Sequence, residues 1–283
     1  MLALSLYRMI EVLMRRPAKI AFLAAMILGA TSGLAADRPV GYLAEGEFDV
    51  THVLEPAPRA GDPRYETDRK IFKATRRMIG SDRWKMAALD AETGTQALLR
   101  DFSCSVGIKL TEQNSPNLVH LLQRAGADTG RQSSRAKEVF QRHRPFTIDR
   151  GQICQPQSEL YDEKAQRMSY DYPSGHTTRG WTWALVLTAV APDRSQQILE
   201  RGRAYGDSRF ICGAHNESAV EAGMVSASAT MAVVSTKTSY QADLAAARTE
   251  LQTLRLNGEK AEGCDAEATL VRQRVMPKLE QRH

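Results

Sequence analysis

Positively charged and histidine side chains recur in three short stretches of this 283-residue chain. The stretches are Lys137 to Pro145, Pro173 to His176, and Ser208 to His215. Arginine can bind two oxygens of one anion, lysine supplies a compact charge, and histidine can take up or release a proton near neutral pH. Together these residue types suit the transfer of a phosphoryl group, whose equatorial oxygens carry negative charge.

The second stretch is predicted to place a histidine at the start of a helix. Pro173 restricts the backbone and Ser174 is a favourable N-cap residue, while Gly175 lets a ligand approach the main chain. The apolar residues between Thr177 and Val190 suit a buried helix. Because N–H groups at a helix N-terminus attract anions, we expect the backbone around Ser174 and Gly175 to bind phosphate.

The elements that must position these residues are predicted to be helices. Apolar residues repeat at spacings of three and four along most of the chain, and no convincing run of alternating strands occurs. Gly126 and Gly130 are expected to separate two helices, and residues 146–171 to form a long polar loop. Helices are predicted at about 68–79, 81–91, 95–104, 115–125, 133–143, 177–190, 198–205, 212–235 and from 239 onwards. The fold class is therefore predicted to be all-α, with a single compact multi-helix domain.

The N-terminus has the pattern of a secretory signal peptide. Basic residues precede an apolar run from Ile20 to Leu28, and small residues follow it near Ala35. The alternative, an uncleaved membrane anchor, is disfavoured because the run is shorter than the ~20 residues of a membrane span. We expect a periplasmic or secreted protein whose mature part has no stable membrane span.

The remaining boundaries follow from composition. We expect a signal peptide at 1–35, an extended arm at 36–62, a helical domain at 63–260 and a charged tail at 261–283. Residues 1–35 carry a net charge of +3, which leaves +2 of the formal +5 for the rest of the chain. This small excess does not favour nucleic acid as a partner.

The cysteines number four, an even count in a chain with an export signal, so disulfides are expected. Three pairings are possible. Cys154 and Cys212 flank the helix that follows His176, which favours pairing them and leaves Cys104 with Cys264. The Cys212-x-x-His215 spacing has no matching pair elsewhere, so no metal or other cofactor is expected.

Taken together, the three stretches resemble the K-x6-R-P, P-S-G-H and S-R-x5-H-x3-D signature of the phosphatidic acid phosphatase type 2 superfamily. Their surroundings resemble the bacterial class A non-specific acid phosphatases most. The resemblance implies that His215 is the nucleophile and forms a phosphohistidine, and that His176 is the acid. The resemblance also implies that the ligands are phosphate monoesters and inorganic phosphate, and a homodimer is left open. The residues implied or expected to bind the phosphate group are Lys137, Arg144, Ser174, Gly175 and Arg209.

One position departs from the signature. Ala219 stands where the family has an aspartate that orients the nucleophilic histidine. We therefore expect phosphate binding with slow turnover, or a catalytically impaired phosphate binder. A vanadium haloperoxidase, which has a related site, is a further alternative, whereas a membrane lipid phosphatase is disfavoured because the required spans are absent.

Overall fold

The computed structural model describes residues 39–278, so the predicted signal peptide at 1–35 lies outside the described residues. Within the described range the chain is mostly helical, as predicted. Its helices are α1 (Pro63–Thr75), α2 (Asp82–Leu89), α3 (Thr95–Val106), α4 (Pro116–Phe140), α5 (Gly175–Val190), α6 (Ser195–Cys212), α7 (Glu217–Val234), α8 (Thr238–Asn257) and α9 (Cys264–Arg272).

Helix α5 lies at the centre of the helical packing. It contacts α4, α6 and α7 along much of its length. Leu122 of α4, Trp183 and Leu187 of α5, and Tyr205 of α6 are buried in one apolar cluster between these helices. A β-carbon at Gly180 would overlap the Tyr205 ring, so this glycine allows α5 and α6 to approach closely. The close packing fixes the N-terminal end of α5 relative to the C-terminal end of α6.

The predicted break around Gly126 and Gly130 is wrong, because α4 runs without interruption from Pro116 to Phe140. A glycine inside a helix costs only about 1 kcal/mol relative to alanine. The buried face of α4 continues through both glycines, from Leu118 to Ala136. Burial of that face outweighs the local preference, and α4 carries Lys137 into the site as part of one rigid helix.

The predicted helix at 212–235 is also wrong at its start. Helix α6 extends to Cys212, and the chain then turns at Gly213, whose φ of 82° is left-handed. Glycine adopts this conformation without steric cost and commonly ends a helix. Helix α7 begins only at Glu217. His215 therefore lies in a turn between two helices rather than inside one.

The region 146–171 contains a small hairpin that was not predicted. Strands β1 (Tyr161–Asp162) and β2 (Arg167–Met168) pair antiparallel, with Tyr161 opposite Met168. Two residues are too few to show the alternation that identifies a strand in a sequence. The rest of the region is irregular apart from short 3-10 turns.

Both flanking segments pack against the helices. In the arm, the N–H of Tyr42 donates to Asp128 at 2.6 Å and that of Val50 donates to Gln132 at 2.9 Å. The charged tail contains α9, which begins at Cys264. Cys264 is bonded to Cys104, so the tail is tethered to α3.

The second disulfide joins Cys154 to Cys212. The favoured pairing is thus confirmed on both counts. The bond links the irregular region before α5 to the end of α6, close to His215.

No single helix within residues 39–278 is long and apolar enough to cross a membrane. Helices α7 and α8 meet the length and composition criterion only as a pair, and the chain bends by 101° between them.

Candidate active site

The structure brings the predicted site residues together at one end of α5. The rings of His176 and His215 lie 6.4 Å apart, centroid to centroid. Arg144 places Nη1 3.0 Å from Nε2 of His215. The charges of Arg144, Lys137 and Arg209 all act on the His215 ring. Three distant parts of the sequence thus form one cluster of cations around two histidines.

The turn before α5 forms the helix start that was predicted. The Ser174 hydroxyl accepts a hydrogen bond from the N–H of Thr177 at 3.3 Å. However, the N–H of Ser174 donates to the carbonyl of Ala219 at 2.8 Å. The backbone N–H of Ser174 is therefore already engaged, contrary to the expectation that it would bind phosphate. Gly175 is the first helical residue, where N–H groups have no partner within the helix, and a β-carbon there would lie 3.7 Å from Cε of Lys137.

The hydrogen bonds of His215 define which ring nitrogen carries the proton. A guanidinium group only donates, so Nε2 of His215 must accept from Arg144. Nδ1 then carries the hydrogen and donates to Asp171, whose carbonyl oxygen is 2.8 Å and whose Oδ1 is 2.9 Å away. Burial and the cationic neighbours hold the pKa of His215 well below its usual value. His215 is therefore neutral near pH 7, with its lone pair on Nε2.

The carboxylate of Asp171 corrects the expectation that Ala219 leaves His215 without an acidic partner. Asp171 is fully buried. Its Oδ2 accepts from Nδ2 of Asn216 at 2.8 Å, and its Oδ1 lies 3.2 Å from the Asn216 N–H. Burial raises the pKa of Asp171, while the nearby charge of Arg142 and the Asn216 hydrogen bond oppose that effect. These donors favour the ionised form.

A second buried acid supports this arrangement from α1. Arg142 places Nε 3.8 Å from Asp171, and its Nη2 lies 2.8 Å from Asp68. Asp68 also accepts from the N–H of Ser218 at 3.0 Å. Asp68, Arg142 and Asp171 are not among the site residues predicted from the sequence. One signal was present, because Asp171 directly precedes the Tyr172-Pro173 step and an acid was lacking at the signature position.

Arg209 is the most deeply buried cation of the site, with 0% of its surface exposed. Its Nη2 contacts Oε1 of Gln155. Nε and Nη1 are buried and have no hydrogen-bond partner among residues 39–278. Gln155 follows Cys154, so the Cys154–Cys212 disulfide places it next to Arg209. Burial lowers the pKa of Arg209 to about 10, which leaves it charged at neutral pH.

Lys137 and Arg144 are held by carbonyl oxygens. Nζ of Lys137 donates to the carbonyl of Tyr170. Arg144 donates to the carbonyls of Ser169 at 2.7 Å and Ala214 at 2.8 Å. Burial and the charge of Arg144 lower the pKa of Lys137 well below its usual value. A neighbouring anion would counteract both effects.

The second histidine, His176, lies beside a cavity. Its Nε2 is 3.1 Å from the carbonyl oxygen of Ala91, which can only accept, so Nε2 carries a hydrogen. Burial, Arg209 and His215 hold the pKa of His176 well below its usual value. The adjoining cavity of about 430 Å³ is also lined by Glu92, Thr93, Gln155 and Glu159.

The Cys212-x-x-His215 spacing does not form a metal site, because Cys212 is in a disulfide. No group of three or more His, Cys, Asp and Glu side chains in the described part of the chain is arranged to hold a metal ion.

The sequence is similar to those of known phosphatases. Residues 122–243, which include every predicted site residue from Lys137 to His215, match the PAP2 superfamily. An acid phosphatase of Zymomonas mobilis subsp. mobilis is 37% identical over 202 residues, covering 71% of this chain and 75% of the relative. A non-specific acid phosphatase of Salmonella typhimurium is 36% identical over 199 residues, covering 70% and 78%. One of Providencia stuartii is 32% identical over 209 residues, covering 74% and 83%. The chain therefore belongs to the PAP2 superfamily, among the bacterial non-specific acid phosphatases.

Proposed function

We propose that the protein is an acid phosphatase that hydrolyses small phosphate monoesters through a phosphohistidine on His215. The observation that carries the proposal is the buried His215 ring, whose Nε2 lies 3.0 Å from Nη1 of Arg144 and which Lys137 and Arg209 also influence by their charges. Such a cluster of cations stabilises the negative charge of a phosphoryl group in transfer. The relatives are named acid phosphatases, which supports the proposed phosphatase activity.

In the first step, the phosphoryl group takes over the hydrogen bond that Arg144 donates to Nε2 of His215 in the free enzyme. The released Nε2 lone pair attacks phosphorus, and the bond from phosphorus to the ester oxygen breaks. The proton of imidazolium His176 passes to the leaving alkoxide, which departs as the alcohol. Lys137, Arg144 and Arg209 donate to the phosphoryl oxygens, together with the free N–H groups at the start of α5. The positive charge that develops on the His215 ring is stabilised through its Nδ1 hydrogen.

In the second step, neutral His176 takes a proton from a water molecule as that water attacks phosphorus. The bond between phosphorus and Nε2 breaks, and His215 returns to its neutral form. Inorganic phosphate leaves the site. His176 acts as acid and then as base, which an imidazole can do near its pKa.

Binding of substrate supplies the charge that His176 needs. Without an anion, burial and Arg209 favour the neutral ring. A bound phosphate dianion next to His176 favours the imidazolium, because opposite charges attract strongly where water is excluded. We therefore propose that the acid becomes protonated mainly in the substrate complex, and that turnover is fastest under mildly acid conditions.

The proposal includes the cellular location and the level of activity. Two disulfides suit an oxidising compartment, such as the periplasm or the medium. Reduced activity was expected because Ala219 lacks a carboxylate, but Asp171 provides one at His215. We therefore propose an active enzyme rather than an impaired phosphate binder.

The test is an assay of the purified mature chain with an aryl phosphate, with and without EDTA. We expect the release of phosphate to be resistant to EDTA. When the aryl phosphate carries ³²P and the protein is denatured rapidly without acid, we expect a ³²P label on the protein that is stable to alkali and labile to acid. His215→Asn should lose both turnover and label. Label retained in His215→Asn, or activity lost in EDTA, would refute the mechanism.

A further inference from the structure

We propose that Asp171 is the positioning residue for His215, in place of the aspartate that the signature has at position 219. This inference rests on the proposed function, because it gives Asp171 a role in phosphoryl transfer. Asp171 does not contact the reacting phosphorus. It acts through the His215 ring, whose proton it holds on Nδ1.

The contact has the geometry of an orienting hydrogen bond. Oδ1 of Asp171 is 2.9 Å from Nδ1 of His215, and both side chains are almost completely buried. The carbonyl oxygen of the same residue is 2.8 Å from Nδ1. An Nδ1 hydrogen shared between these two acceptors leaves Nε2 unprotonated and aimed at Arg144. The nucleophilic nitrogen is thus fixed in both protonation and direction.

Asp171 is itself held on several sides. Its N–H donates to the carbonyl of Arg142 at 2.8 Å. Asn216 donates to both carboxylate oxygens, from its side chain at 2.8 Å and its main chain at 3.2 Å. Asn216 follows His215 directly, so the carboxylate and the ring are tied to the same turn. A carboxylate fixed in this way can keep the ring oriented as positive charge develops.

The other acidic side chains near position 219 cannot take this role. Glu217 and Glu221 both point to Arg64 on α1. The Ser218 hydroxyl is occupied by Asp68 and Arg142. Asp171 is therefore the carboxylate that His215 contacts among the described residues.

The surroundings of Ala219 explain why a second acid there would be harmful. Ala219 is fully buried in an apolar cluster that includes Ala136 and Tyr172. With Asp171 retained, Ala219→Asp would add another buried negative charge on the turn that begins α7. Burial of an unpaired charge is costly. We therefore expect the two carboxylates to substitute for one another rather than to add.

The experiment compares four variants with an aryl phosphate substrate and inorganic phosphate as competitive inhibitor. Asp171→Asn should lower kcat about 10²- to 10⁴-fold, as removal of other orienting carboxylates does. The inhibition constant of phosphate should change less, since the cations remain in place. Ala219→Asp alone should lose activity or thermal stability. The double variant Asp171→Asn, Ala219→Asp should regain at least tenfold in kcat over Asp171→Asn.

A matched control is Asp149→Asn. Asp149 is a buried acid in the same irregular region, but it pairs with Arg69 and Lys73 on α1. This variant should keep kcat within about threefold of the unmodified chain. If Asp171→Asn behaves like the control, or if a folded double variant is no better than Asp171→Asn, the proposal is overturned.

A spectroscopic readout separates this proposal from the proposed function. In ¹⁵N-labelled protein, the His215 ring should appear as the neutral tautomer with hydrogen on Nδ1, and Asp171→Asn should change that signature. If the unmodified chain has no phosphatase activity, the proposed function fails, and the tautomer measurement still decides the role of Asp171. His215 with hydrogen on Nε2 in the unmodified chain would overturn the inference.

Discussion

Replacement of Arg209 by lysine tests whether its guanidinium fork contacts the phosphoryl group in transfer. Lysine preserves the positive charge but loses the planar arrangement of donors. Two of the donors, Nε and Nη1, are buried without a partner among residues 39–278, so they are free to bind the transferring oxygens. The variant therefore changes hydrogen bonding more than charge.

The expected loss follows from the number of donors removed. A hydrogen bond to a charged group contributes about 1.5–3 kcal/mol. If the Nζ of lysine replaces one of two such bonds, the barrier rises by about that amount, which corresponds to a fall in kcat/KM of about 10- to 150-fold. Thermal unfolding should be measured in parallel, because Arg209 is fully buried.

Arg203→Lys is the matched control on the same helix. Arg203 is partly exposed and pairs with Asp207 and the carbonyl of Val271, away from the predicted site residues. We expect its kcat/KM to remain within about twofold of the unmodified enzyme. A folded Arg209→Lys enzyme with less than a threefold loss and unchanged inhibition by phosphate would refute the assigned contact.

Three further outcomes are expected. Burial holds the pKa of His176 low in the substrate-free enzyme, so its imidazolium is lost there at a lower pH than in the substrate complex. As pH rises, kcat/KM should therefore fall before kcat, and coincident limbs in the two pH profiles would contradict this. Replacing Cys154 and Cys212 by serine should lower the free energy of unfolding by about 4 kcal/mol, because the disulfide restricts the entropy of the unfolded chain over a loop of this length. A urea titration measures the change, and a loss below about 1 kcal/mol would count against this stabilising role. Gly223→Ala would bring a β-carbon to 2.8 Å from the carbonyl oxygen of Ser174, the N-cap residue of α5, and should lower kcat/KM about 10- to 100-fold. The control Gly126→Ala places its β-carbon in open space and should leave kcat/KM unchanged.

The helical fold could be predicted because its signals are local. Apolar spacing located most helices, and Ser174 marked the start of α5 correctly. The errors arose where tertiary packing overrides local preference, as at Gly126 in α4, or where a single glycine reverses the chain, as at Gly213. The sequence spacing of apolar residues does not reveal either effect.

The residues of the candidate site that belong to the three sequence motifs could be predicted, because the spacing within each motif is local. Histidines and cations at signature spacing were brought together as expected, and the cysteine pairing was confirmed. Asp171 was missed because its contact with His215 joins positions 44 residues apart and has no fixed spacing in the signature. The alanine at position 219 indicates only that the aspartate of the signature is absent. It does not indicate which other acidic residue the fold places next to Nδ1 of His215.

The contact between Gln155 and Arg209 bears on how fast the enzyme can release its product. If the buried cations had no hydrogen-bond partner other than phosphate, they would bind inorganic phosphate tightly. Dissociation of the product would then limit the rate of turnover. In this structure the cations instead donate to uncharged protein oxygens, namely the Gln155 side chain and the carbonyls that Lys137 and Arg144 contact. We expect these protein oxygens to replace the phosphate oxygens as the product leaves. We therefore expect these contacts to weaken the affinity for inorganic phosphate and to shorten its residence time in the site.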